Sequence, residues 1–244
     1  MLVGKVVLVS GGTGSLGAAF CRCFAHYGAD LAFTYHRRQD RAEALVAEIT
    51  ALGRRGLSGQ VEACDGKAIE AFCGQVEERF GRVDALVNNL GATQVLPFAL
   101  IEEEDWDQAL SVNLKSMFLF SRAVVRGMIR RKHGAILNLG SVAGQRMLEV
   151  PVHYATAKAG VAGFTVSLAK ELARYGIRVN ALVPGLIEGG IGSNVNQRQL
   201  AEYNRYCALG RPGKPEEVAE LAAFLISERA SYLNAQGVVL DGGL

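Results

Sequence analysis

The chain has 244 residues, half of them hydrophobic and a fifth charged, which suits one domain with a sizeable core. Lys and Arg number 26 against 24 Asp and Glu, so no whole-protein basic field points to nucleic acid. Five Cys without a C-x-x-C pair, and four scattered His, indicate neither a disulfide framework nor a metal site.

No signal peptide is visible before the first strand, and no apolar run reaches the ~18–20 residues of a membrane span, so the expected location is the cytoplasm. Residues 6–10 are a β-branched run ending in glycines, and 15–27 follow as a helix. Residues 31–35 predict the next strand and 41–52 the next helix; 57–64 is a weaker strand, followed by a helix over 67–80. Residues 85–89 form strand four, and 103–132 a long helical stretch with a break near Asn113. Residues 135–139 are strand five, 152–175 a long helix and 177–183 strand six. A helix over 215–227 starts on Pro, and 237–240 is the last strand. Continuous apolar strands alternating with helices predict a single-domain α/β fold. Its form is a Rossmann-type doubly wound parallel sheet with helices on both faces. Ligands of such sheets bind beyond the carboxyl ends of the strands.

The segment Ser10-Gly11-Gly12-Thr13-Gly14-Ser15-Leu16-Gly17 joins the first strand to the first helix. Glycines let the backbone approach a pyrophosphate, and the helix N-terminus supplies N–H donors, so this context predicts nucleotide binding. A plain turn is the bland alternative. Strand two ends at His36-Arg37-Arg38, where an NAD-binding unit usually has an acid; none comes before Asp40. Two arginines can instead grip a 2′-phosphate, which favours NADP(H). Their alternative is a solvated helix start. Asp65, before Gly66, reads equally as an acceptor for an adenine amino group or as an ordinary helix N-cap.

Tyr154 and Lys158 are four apart on one helix face. Alone they would read as a surface pair. Ser141 lies just beyond strand five, and Asn113 within the middle helix. With Asn88-Asn89-Leu90-Gly91 and Pro184-Gly185 added, the whole chain resembles the short-chain dehydrogenase/reductase family. Within it the chain is most similar to 3-oxoacyl-[acyl-carrier-protein] reductases. The resemblance implies a catalytic set of Asn113, Ser141, Tyr154 and Lys158. It implies cofactor contacts from the glycine loop, Asn89, Gly91, Tyr154, Lys158, Pro184, Gly185 and Ile187. It further implies a homotetramer or homodimer packed through the two long helices.

The chemistry has a physical basis. Hydride transfer to a carbonyl carbon leaves charge growing on oxygen, which Ser141 would stabilise while Tyr154 donates the proton. Moving a phenol from ~10 to near neutral takes roughly 4 kcal/mol. A Lys158 ammonium about 4 Å away supplies about that much at an effective dielectric of ~20, desolvation opposes it, and the positive charge of the oxidised nicotinamide helps in the reverse direction. The resemblance gives Lys158 a second task on the nicotinamide ribose, and Asn113 a water-holding role behind it.

Three positions depart from the family pattern: Ser15 stands for a usual Gly, Leu90 for a small Ala, and Gly189 for a Thr that bonds the nicotinamide carboxamide. Residues 189–194 read as a mobile, glycine-rich start to a substrate lid, or as a plain surface loop. Helical character follows from 198 to 206. Lys132 and Arg174 end two helices. They read as dipole-favoured helix ends or, by the resemblance, as a dock for acidic acyl carrier protein near the active-site mouth. An NADP-dependent dehydrogenase of a sugar, polyol or other small alcohol is the alternative activity, and a nucleotide-binding regulator without turnover a further one.

Overall fold

The computed structural model of the chain describes residues 1–146 and 148–244, with the side chain of Asn194 also outside the description. Its strands are β1 (Val6–Val9), β2 (Asp30–Tyr35), β3 (Gly56–Gln60), β4 (Ala85–Asn88), β5 (Gly134–Leu139), β6 (Ile177–Pro184) and β7 (Gly237–Leu240). Its α-helices are α1 (Ser15–His26), α2 (Gln39–Ala51), α3 (Gly66–Phe80), α4 (Glu103–Leu110), α5 (Ser116–Arg131), α6 (Val152–Leu172), α7 (Gln197–Tyr206) and α8 (Pro215–Ile226).

The strands lie in the order β3-β2-β1-β4-β5-β6-β7, and every pairing is parallel. The expected doubly wound sheet is therefore present. Its order reverses between β1 and β4, which opens a crevice at the carboxyl ends of the strands. β1 shows why both faces are covered: all four of its residues are buried. Period two sends Val7 and Val9 into the core beneath α1, α2 and α8, and Val6 and Leu8 into the core beneath α3, α5 and α6. In the first core Phe20 and Phe24 stack with ring centroids 5.7 Å apart.

Several boundaries move for local reasons. The third strand stops at Gln60, four residues short of its expected end. The chain there turns, with the Asp65 N–H donating to the Glu62 carbonyl at 3.2 Å, to reach the cap of α3. The break expected near Asn113 is a π-helical segment, Ser111–Lys115, between α4 and α5. α6 tightens into a 3-10 turn at Ala173–Tyr175 and stops at Gly176, where φ is 67°. Residues Gly190–Asn194 are a 3-10 turn, and α7 starts at Gln197, capped by Asn196. Among the described residues, no helix is long and apolar enough to cross a membrane.

Candidate active site

The glycine loop is held from three sides. The Asn89 side-chain amide donates to the carbonyls of Ser10 and Gly11 at 3.0 and 3.2 Å. The Ser10 hydroxyl accepts from the Asn89 N–H at 2.9 Å, and Thr34 Oγ1 accepts from the Gly11 N–H at 3.1 Å. Gly17 is obligatory, because a Cβ there would fall on the Gly11 carbonyl oxygen and lie 2.9 Å from the Asn89 amide nitrogen. Its N-cap is Gly14, so α1 has no side-chain capping bond and no acidic residue in its first turn. Gly14 and Ser15 are exposed. The N–H groups of Ser15, Leu16 and Gly17 precede the first intrahelical bond and suit a pyrophosphate. A dinucleotide therefore fits this cradle.

Beyond β2, His36, Arg37 and Arg38 are all exposed. Arg38 pairs with Asp40 at 3.2 and 3.1 Å, which holds the Asp40 carboxyl below its ordinary range. His36 lies 2.7 Å from Glu62. Both arginines follow the carboxyl end of β2, with Arg38 engaged by Asp40. Asp65 takes the capping role: its Oδ1 accepts from the N–H groups of Lys67 and Ala68, both at 3.0 Å.

The four predicted reactive residues converge past β4 and β5. Tyr154 and Lys158 are buried on α6. The Lys158 ammonium donates to the Leu139 carbonyl at 2.8 Å and lies 5.9 Å from the centre of the Tyr154 ring. Ser141 follows β5 in extended conformation, and its Oγ accepts from the Ala143 N–H at 3.1 Å. Asn113 sits in the π-helical segment and is fully buried. Its amide donates to the carbonyls of Ala92 and Ala109 at 2.7 and 2.9 Å, and its Oδ1 accepts from the Ala92 N–H at 3.3 Å. A π-bulge is a frequent device for turning one side chain into a functional site. A Cβ on Gly91 would lie 3.3 Å from Asn113 Oδ1 and 3.7 Å from Lys158 Nζ, so these groups meet around one point of backbone.

The expected opposition of desolvation to a lowered tyrosine pKa is present. Burial pushes the Tyr154 phenol up, and the Ser141 hydroxyl beside it pulls the other way. Burial also pushes the Lys158 ammonium down, to about 8. The reason is that both groups are desolvated.

Two of the departures from the family pattern belong together. Gly189 has φ 75° and ψ −177°, a conformation essentially restricted to glycine. A Cβ there would also stand 2.8 Å from Ser15 Oγ, which donates to the Glu188 carbonyl at 3.3 Å. The hydroxyl on α1 thus occupies space that a side chain at 189 would need. Leu90 fills the space over Gly11, where an added Cβ would lie 2.8 Å from Leu90 Cδ2. Pro184 ends β6, Gly185 donates its N–H to the Leu240 carbonyl at 3.0 Å, and Ile187 forms an isolated bridge with Gly213.

Lys132 and Arg174 require a correction. They do lie near one another, since a Cβ on Gly176 would be 2.7 Å from the Lys132 carbonyl. Both, however, precede the amino ends of their strands, β5 and β6, while Ser141 follows the carboxyl end of β5. The six residues of β5 separate the two edges by ~20 Å. In one chain the pair is therefore remote from the active-site mouth, because a parallel sheet puts helix C-termini at the edge opposite the ligand crevice.

Sequence reasoning passed over Ser10, Thr34 and the Leu139 carbonyl as supports of the site. It also passed over a buried ladder in which the Asn88 amide donates to Asn138 Oδ1 and the Asn138 amide to Thr165 Oγ1. The one signal for it was polar residues inside otherwise apolar strands.

A family model described as enoyl-(acyl carrier protein) reductase matches residues 11–244. The chain is similar to the 3-oxoacyl-[acyl-carrier-protein] reductase FabG of Chlamydia pneumoniae, with 37% identity covering 100% of this chain and 98% of the relative. It is 38% identical to the enzyme of that name from Thermotoga maritima, at the same coverages. Among solved structures, a levodione reductase matches with a TM-score of 0.94 and 32% identity, covering 100% of this chain and 98% of that one.

Proposed function

Because the chain belongs to the short-chain dehydrogenase/reductase family of oxidoreductases, we propose that it is an NADPH-dependent ketone reductase. Its proposed substrate is a 3-oxoacyl thioester on acyl carrier protein, which places it in fatty-acid or polyketide-type biosynthesis. The observation that carries this reading is the buried Tyr154–Lys158 pair with the Ser141 hydroxyl beside the phenol. Nucleotide binding alone would require no buried proton donor, which argues against a regulator without turnover. Bound NADPH would supply the hydride. Tyr154 would give its proton to the developing alkoxide, and Ser141 would hold the same oxygen by a hydrogen bond. Lys158 would favour the phenolate that remains, and the buried Asn113 would hold a water on the path of reprotonation.

Arg37 and Arg38 are the proposed 2′-phosphate contacts. Replacing both by Ala should weaken NADPH by at least tenfold, since a charge-assisted contact contributes about 1.5–3 kcal/mol. NADH binding should change little. Nucleotide titration of both forms reads this, and equal use of NADH and NADPH by the unsubstituted chain would sink the assignment.

The similarity to a levodione reductase keeps a second reading open, the oxidation or reduction of a free small alcohol or ketone. Turnover of a carrier-bound 3-oxoacyl chain measured against free sugars and simple ketones separates the two.

We further propose a one-domain protein that works in the cytoplasm as a homodimer or homotetramer. The exposure of Phe118 on α5 and Val166 on α6, 45% and 52%, supports packing between copies. We propose the carrier dock at Lys132 and Arg174 only within such an assembly, where it would serve the site of another copy. Reversing both to Glu should lower kcat/KM on carrier-bound substrate, with the loss fading as salt rises, because exposed charges are screened over ~8–10 Å. A short thioester without carrier should react as before. Parallel loss on both substrates would assign these residues to the fold, and loss on neither to solvated helix ends.

A further inference from the structure

We propose that Tyr203 is a positioning residue: from α7 it fixes the turn after β6 against which the nicotinamide half of the cofactor would rest. The inference builds on the NADPH reading above. The Tyr203 hydroxyl accepts from the Leu186 N–H at 3.1 Å and donates to the Asp241 carbonyl at 3.1 Å. Leu186 is two residues past the end of β6, and Asp241 directly follows β7. One hydroxyl therefore ties together two strand exits and the helix of the substrate segment.

The turn is shaped around this hydroxyl. A Cβ on Gly185 would lie 2.5 Å from Tyr203 Oη and 2.9 Å from Asp241 Cα, so the glycine permits the approach. The end of α7 is fastened to the same stretch. The Cys207 thiol lies 3.5 and 3.4 Å from the carbonyls of Asp241 and Gly242, and the N–H groups of Ala208 and Leu209 donate to the carbonyls of Gly243 and Gly242. Arg146, on the loop that begins with Ser141, brings a guanidinium nitrogen within 3.7 Å of Asp241 Oδ2. The clamp thus reaches both sides of the place where carbonyl and nicotinamide would meet.

The chemistry of the side chain explains the choice of tyrosine. Leu186 offers a donor and Asp241 an acceptor, and a phenol serves both at once. Phenylalanine at 203 would keep the ring packing and leave both backbone groups without this partner. A displacement of α7 would have to break the same two bonds, so movement of the substrate segment and the shape of the nicotinamide-facing turn are coupled through one oxygen.

The test uses Tyr203→Phe in the full chain. In the ligand-free variant, hydrogen exchange of the Leu186 amide should accelerate about tenfold, the equivalent of one neutral hydrogen bond. NADPH should bind about 5–10-fold more weakly, a loss of the same order. Adenosine 2′,5′-bisphosphate, which lacks the nicotinamide half, should bind as to the unsubstituted chain. Unchanged exchange and unchanged NADPH affinity would overturn the proposal, as would equal weakening of both nucleotides, which would mean a general loosening of the fold. If the unsubstituted chain bound neither nucleotide, the cofactor reading would fall and take the nicotinamide role with it. The Leu186 exchange rate would still decide whether the clamp exists.

Discussion

Tyr154→Phe should lower kcat for ketone reduction by at least the ~10²–10⁴-fold that a positioned acid contributes, with NADPH affinity nearly unchanged. The ring is buried on α6, so phenylalanine keeps its packing, and only the oxygen is lost. That oxygen is a titratable donor beside the Ser141 hydroxyl. Without it, the proton for the growing alkoxide must come from a weaker or less well placed donor such as water. Ser141 cannot substitute, because an alkyl hydroxyl is a far weaker acid than a phenol, although it can still donate a hydrogen bond. Single-turnover measurement with saturating NADPH would isolate the chemical step from binding and release. Turnover of the Phe variant close to that of the unsubstituted chain would remove Tyr154 from the mechanism.

The parts of this site that sequence revealed are those in which residue type and spacing are tied to backbone geometry. The glycines of the loop follow from how closely backbone must pass backbone, as the contact of Gly17 with the Gly11 carbonyl illustrates. The i, i+4 spacing of Tyr154 and Lys158 places both on one face of any helix, and the parallel strands follow from apolar runs alternating with helical ones. Interactions between distant segments were not legible. Nothing local links Ser15 to Gly189, yet the hydroxyl of one occupies the space beside the other. Nothing local joins Tyr203 to both Leu186 and Asp241. The placement of Lys132 and Arg174 failed for another reason. Similarity to a family transfers a residue's identity, but the edge of the sheet it occupies follows from chain direction, and in a parallel sheet a helix that leads directly into the next strand ends on the side away from the ligands.

Lys158 should give the reaction an alkaline limb near pH 8, and Lys158→Met should abolish that limb while lowering kcat/KM by ~10²–10³-fold, the usual loss for a removed electrostatic donor. Burial sets the ammonium at about 8 in the free chain. Above that pH the cation is lost, and with it the charge that favours the Tyr154 phenolate, so kcat/KM should fall as pH rises through 8. Taken for NADPH, this ratio reports the free enzyme, the state to which the value belongs. Stability should move the other way. The unfolded lysine titrates near 10.4, so between about 8 and 10.4 the unfolded chain binds more protons than the folded one. Folding stability from this group therefore rises with pH across that window, by roughly 3 kcal/mol in all. Activity lost while stability is gained separates Lys158 from alkaline unfolding, which would lower both. Methionine occupies a similar volume without the desolvated charge, so the variant should be at least as stable at pH 7 and should lose the pH dependence of stability above 8. Denaturant titrations at pH 7 and 9, together with the pH–rate profiles of both proteins, read these outcomes. Persistence of the limb near 8 in the Met variant would assign it to another group and leave Lys158 with its bond to the Leu139 carbonyl alone.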